Sequence, residues 1–184
     1  MKMWKKLMIL ASFAILLAVI TTMLDSGVFG QVRPPNHMSA TRPTTLTEMI
    51  EAGHYQFVDP EIAKINLSVK PELFTTSGLR QVQFDSSMST GEILNSLPHN
   101  NFRPATVEQL LAFGAANPEE QRKHAVVALA SSFKAPDGES YVFCLVSDGS
   151  KRGLVLFWSG YEWNENYRFL ASIERINTGF LRPP

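Results

Sequence analysis

Ala125-Val126-Val127-Ala128-Leu129-Ala130-Ser131-Ser132-Phe133, Tyr141-Val142-Phe143-Cys144-Leu145-Val146-Ser147 and Leu154-Val155-Leu156-Phe157-Trp158 decide the fold. Each is a run of strand length, apolar and rich in β-branched or aromatic side chains, and a fourth follows from Tyr167 to Glu174. Pro136-Asp137-Gly138, Asp148-Gly149-Ser150 and Ser159-Gly160 divide them. Gly accepts a positive φ in such turns, and Pro presets the negative φ of a turn's first corner. Turns this short join antiparallel neighbours, so the four runs predict an antiparallel meander.

Upstream the period is helical. Thr45 with Glu48, Ser89 with Glu92 and Thr106 with Gln109 have the spacing of capping boxes, each ahead of apolar residues at helical intervals. They predict helices from Leu46 to Ala52, from Ser89 to a stop at Pro98, and from Thr106 to Gly114. Gly53 is expected in a left-handed C-terminal cap. Asn117-Pro118-Glu119-Glu120 adds one more helical turn with Asn117 as its cap. Ile62 to Val69 and Val82 to Phe84 are expected to be extended. Helices followed by a meander give an α+β domain: two to four short helices packed on a mainly antiparallel sheet.

The N-terminal residues are different in kind. Lys2, Lys5 and Lys6 precede an apolar stretch from Leu7 to Leu24, interrupted only by Ser12, Thr21 and Thr22. As a helix it would run about 27 Å, close to the thickness of a bilayer core. Residues 1–30 are therefore expected to be a signal anchor or signal peptide, contacting the membrane through residues 7–24, with the lysines on the cytoplasmic side. Cleavage near Gly30 would release a secreted form. Residues 31–45, with Arg33-Pro34-Pro35 and Arg42-Pro43, form a linker, and residues 46–184 one globular domain outside the membrane.

Composition excludes several functions. The chain has 184 residues with 17 basic and 17 acidic side chains, and hydrophobic residues are 45% of it. Removing Lys2, Lys5, Lys6 and Asp25 leaves 14 basic and 16 acidic side chains in residues 31–184. No basic stripe collects phosphates, so a nucleic-acid partner is not expected. A lone Cys144 in an apolar run makes neither a disulfide nor a cysteine-rich zinc site, and behaves as a small hydrophobe. His37, His54, His99 and His124 have no metal-ligand spacing, and no Gly-x-Ser-x-Gly or phosphate-loop motif is present. No metal, cofactor or catalytic residue is assigned.

The unusual stretch is Trp158-Ser159-Gly160-Tyr161-Glu162-Trp163-Asn164-Glu165-Asn166-Tyr167, which the meander would make its last hairpin connection. Rigid amphipathic rings beside amides suit recognition of a glycan, a peptide or a protein surface. Trp158, Tyr161, Trp163, Asn164 and Asn166 are the candidate ligand-binding residues. Equally, Trp158 and Trp163 would cap the core as large aromatics often do. The expected function is an exported, membrane-tethered, non-catalytic binding module; the alternative is an exported hydrolase-like enzyme whose site is assembled from distant residues.

Phe102-Arg103-Pro104-Ala105-Thr106 with Val107 to Gly114, Val126 to Ser132 and Tyr167 to Ala171 resembles a group of small bacterial proteins with no assigned activity. More distantly, the order of Val82–Phe84, Ser89–Leu97, the Arg103-Pro104-Ala105-Thr106 turn, Glu108, Ser131-Ser132 and Arg168 is similar to the formylglycine-generating (sulfatase-modifying) branch of the C-type lectin-like fold. The resemblance implies that fold over residues 80–175. It does not carry the oxidase activity, which uses a cysteine pair. Trp163-Asn164-Glu165 is similar to the Trp-Asn-Asp signature of calcium-dependent lectins, but the partner tripeptide of those lectins is absent, and too few oxygens are offered for Ca²⁺.

Overall fold

The computed structural model describes residues 42–173, Asp137 excepted. The apolar run 7–24, the proposed cleavage point at Gly30, the linker up to residue 41 and Glu174 lie outside the described residues. No helix among the described residues is long and apolar enough to cross a membrane.

All three capping boxes form. Helix α1 (Leu46–Ala52) is capped by Thr45, whose hydroxyl accepts the Glu48 N–H at 3.2 Å while the Glu48 carboxylate accepts the Thr45 N–H. The same exchange joins Ser89 and Glu92 at α2 (Thr90–His99), and Thr106 and Gln109 at α3 (Val107–Ala116). A fourth helix, α4 (Glu120–Lys123), is a single turn. Glu119 rather than Asn117 occupies its cap; Asn117 instead closes α3, donating its side-chain amide to the Phe113 carbonyl. Pro98 lies inside the last turn of α2, not beyond it.

Two glycines expected at helix ends do other work. Gly53 has φ −78°, and the positive φ falls on His54. Gly114 lies within α3, two residues before its end. A Cβ on Gly53 would meet the Tyr55 ring at 2.2 Å, and one on Gly114 would meet the Tyr55 hydroxyl at 2.2 Å. Both are needed so that Tyr55 can lie between α1 and α3.

The strands are β1 (Phe57–Val58), β2 (Leu79–Val82), β3 (Met88–Ser89), β4 (Phe102–Pro104), β5 (Ala125–Lys134), β6 (Ser140–Ser147), β7 (Arg152–Trp158), β8 (Glu162–Trp163) and β9 (Tyr167–Ile173). Seven of them make one sheet in the order β1-β7-β6-β5-β9-β2, with β4 also beside β9; β3 and β8 form a small ribbon. The domain is α+β, as the order of elements predicts. Residues 62–69 form no strand: Ile62–Lys64 is a 3₁₀ turn, as is Pro71–Leu73. The strand expected at Val82 to Phe84 begins and ends earlier, as β2.

β5, β6 and β7 are the predicted antiparallel meander. β9 does not extend it. It returns to the far side of β5 and pairs there in parallel, Ala125 opposite Tyr167 and Val127 opposite Phe169. β1 likewise pairs in parallel with β7, so the sheet is mixed. Both sheet faces are covered. Val126, Ala128, Phe143, Leu145, Leu154 and Leu170 face the side packed by α1 and α3. Val127, Cys144, Val155, Phe169 and Ala171 face the opposite side, with Ile93 and Leu97 of α2 and with Trp163. A sheet buried on both faces explains why its strands read as unbroken apolar runs.

A bulge in β5 ties the two halves of the chain. The register jumps from Ala128 opposite Phe143 to Ser132 opposite Val142, leaving Leu129, Ala130 and Ser131 unmatched. The Ala130 N–H donates to the Ala105 carbonyl, and the Ser131 hydroxyl accepts the Val107 N–H, each at 3.0 Å. The Arg103-Pro104-Ala105-Thr106 turn is thereby clamped between the bulge and β9, where the Ala105 N–H reaches the Leu170 carbonyl. Ser131 satisfies one of the first-turn donors that α3 leaves open. Glu108, 4% exposed in that same first turn, accepts the Lys70 N–H at 2.8 Å and fastens the 3₁₀ turn to α3.

Candidate functional site: the aromatic crossover

Since β9 lies beyond β5, residues 158–167 are not a hairpin connection. Arg168, Val126, Leu145 and Leu154 share one row across the sheet. The chain leaving β7 at Trp158 must therefore travel back along the strands and across three strand spacings, about 14 Å. It crosses on the α2 face, and apolar rings on such a path are pressed against the sheet.

Trp163 is 1% exposed, in the centre of this crossing. Its indole N–H donates to the Thr90 hydroxyl at 2.8 Å, and that hydroxyl donates to the Ser159 carbonyl. Tyr167, Tyr161 and Phe169 surround it edge-on, with ring centroids at 5.0, 5.3 and 5.7 Å. Edge-to-face pairs at these distances are favourable beyond the area they bury. Tyr161 and Tyr167 stand 5.7 Å apart and are both half-buried. Burial, and then the Tyr161 hydroxyl beside it, pushes the Tyr167 phenol up.

The five candidate residues thus separate. Trp158 is the cross-strand partner of Tyr141, alternates along β7 with Leu154 and Leu156 of the α1 and α3 side, and lays its ring against Gly160, where a Cβ would meet it at 2.3 Å. Its indole donates to the Glu139 carboxylate at 2.7 Å. Trp163 is a buried floor, whereas Tyr161 is half-buried. Asn164 turns the chain into β9, its side-chain oxygen accepting the Asn166 N–H at 3.0 Å, and Asn166 itself is exposed. Tyr167, Thr90 and the β3–β8 ribbon complete the site. Tyr167 was legible as an aromatic at the end of the stretch; Thr90 carries no signal beyond its place after a helix cap.

The second polar centre is scaffold. Arg152 is 6% exposed, and no carboxylate contacts it among the described residues. Its guanidinium donates to the Gly53 carbonyl at 2.9 Å, the Gly114 carbonyl at 2.7 Å and the Gln121 side chain at 3.2 Å. It also lies 5.2 Å from the centre of the Tyr55 ring. Those carbonyls belong to the C-terminal ends of α1 and α3, where the helix dipoles are negative. Burial holds its pKa below the usual arginine value. Burial likewise pushes the Cys144 thiol up, leaving an unreactive group in the core.

Among the described residues no three His, Cys, Asp or Glu side chains come together as a metal site would require. No protein-family model, curated protein or solved structure matches the chain.

Proposed function

We propose that this protein is an exported, membrane-tethered binding module without catalytic chemistry of its own, and that it captures its ligand on the aromatic crossover. One observation carries the reading: two half-exposed tyrosines, Tyr161 and Tyr167, are seated edge-on against a fully buried Trp163 that is itself fixed to Thr90. Rings held this way offer contact area with little rotamer entropy left to lose on binding. Export and tethering rest on Lys2, Lys5, Lys6 and the apolar run 7–24. A C-type lectin-like fold belongs to the same proposal; the meeting of the Arg103–Thr106 turn with Ser131 supports it.

The full chain in a mild non-ionic detergent, applied to an array of glycans, cell-wall fragments and peptides, tests this. Tyr161→Ala together with Asn166→Ala should abolish capture with a small change in the unfolding midpoint. Trp163→Ala should instead lower stability by about 3–5 kcal/mol, as for other buried aromatics. Capture that survives the Tyr161 and Asn166 substitutions at full strength would move the site elsewhere.

A further inference from the structure

Charge is distributed unevenly around the crossover. The segments that build its outer surface, residues 81–101 and 159–167, contain Asp85, Glu92, Glu162 and Glu165 and no Lys or Arg, in a chain whose formal charge is zero. All four carboxylates are exposed. Two contacts link the segments that carry them. Glu92 closes its capping box on Ser89, which is the register partner of Glu162 across the ribbon. Glu165 accepts the Gln83 side-chain amide through its carbonyl at 3.5 Å, and Asp85 follows two residues on. The same segments carry half-buried apolar side chains packed against the core on the α2 side: Phe84, Met88, Leu94, Tyr161 and Tyr167. The cations that adjoin these segments are engaged by carbonyls: Arg80 donates to that of Leu79, and Arg168 to those of Glu165 and Tyr167.

From this we infer that the ligand of the crossover is a cationic peptide segment, whose arginine or lysine side chains lie against Tyr161 and Tyr167 and reach the flanking carboxylates. The inference rests on the binding-module reading and names the class of its ligand. The charge of the face is complementary to such a partner, and a guanidinium matches both surfaces on offer. It stacks on the face of a phenol ring and forks onto a carboxylate. A neutral saccharide would use the rings and leave the charges of Asp85, Glu162 and Glu165 without a role. An acidic partner would be repelled by them.

The test titrates hexaarginine into the full chain in non-ionic detergent and follows intrinsic tryptophan and tyrosine fluorescence, with hexaglutamate and a neutral hexasaccharide in parallel. Hexaarginine should bind, and raising the salt from 20 to 200 mM should weaken it at least tenfold. Glu162→Lys with Glu165→Lys should weaken it at least tenfold at low salt, while Glu48→Lys on α1 leaves it unchanged. Tyr161→Ala should weaken it in a way that salt does not reproduce. Failure of hexaarginine to bind, or binding insensitive to the Glu162 and Glu165 reversals, overturns the inference. If the array then finds a neutral ligand that Tyr161→Ala abolishes, the binding-module reading stands and the cationic ligand falls; if no ligand depends on Tyr161, both fall.

Discussion

Replacing Arg152 by Met removes one cation and strands three acceptors. The Gly53 and Gly114 carbonyls and the Gln121 side-chain oxygen each lose a donor in a region closed to water. A buried acceptor left without its partner costs about 1–3 kcal/mol. Gln121 also donates to the Val146 and Gly153 carbonyls, so it is not free to turn towards solvent without further loss. Relief of the cation's desolvation offsets part of this, and the Met side chain fills most of the volume. Taking the lower end for each acceptor gives a net destabilisation of about 3 kcal/mol, a large share of the ~5–15 kcal/mol typical of a domain. Urea unfolding followed by circular dichroism measures it, with an unchanged m-value showing that the transition remains two-state. Gln121→Leu alone should destabilise, and in combination with Arg152→Met should cost less than the sum. A neutral or stabilising Arg152→Met would refute the reasoning, since it would mean that the buried charge costs more than its three bonds return.

Two further outcomes follow from groups in and around the same core. The Tyr55 hydroxyl is buried without a hydrogen-bond partner among the described residues, so Tyr55→Phe should leave stability unchanged or raise it, whereas Gly114→Ala should lower it by driving a methyl group into that hydroxyl; thermal midpoints of the two variants decide. Acid should weaken the fold through four held carboxylates. Glu48 is lowered by the Thr44 N–H and hydroxyl, Glu92 by the Ser89 hydroxyl and N–H, Glu120 by Lys123 and then Gln81, and Asp148 by the Lys151 and Ser150 amides. Each is depressed below its ordinary value of 4.5, or 3.8 for Asp148, so its contribution is whole above that value and is lost as pH falls through the lower folded one. The unfolding midpoint should be flat near neutrality and fall below about pH 4.5, with a shallower fall in Glu92→Gln with Asp148→Asn; an identical slope in that variant would exclude these groups as the cause.

What the sequence disclosed was local. Thr45, Ser89 and Thr106 announce their helices because a capping box is closed by residues three apart and needs nothing from the rest of the chain. The strands of the meander were equally plain, with ends within a residue or two. The sequence did not disclose where β9 goes. Ser159-Gly160 looks like any hairpin turn, and a parallel return past two strands is decided by what covers the sheet face, here Trp163 and α2. That one misplacement made a crossover read as a hairpin connection. Arg152 was hidden for a similar reason: beside Lys151 it reads as a surface charge, and only the approach of two helix ends makes it a core residue. Gly53 and Gly114 were found for the wrong reason, since sequence suggests a backbone angle where the structure needs an absent Cβ.

The sheet is assembled from both ends of the domain inward. Phe57 finds its partner at Gly153, Leu79 at Ser172, Met88 at Trp163 and Phe102 at Ile173, separations of roughly seventy to one hundred residues. β2 and β4 therefore have no strand to join until β9 has been made. Such long loops make the closing steps slow, because their entropy is lost before the contacts return it. On a ribosome the nascent chain would carry three capped helices and the unpaired strands β2 and β4 until β9 emerges. A domain of this topology stays open until late in its synthesis, and closes in one step when β9 threads between β5 and β2.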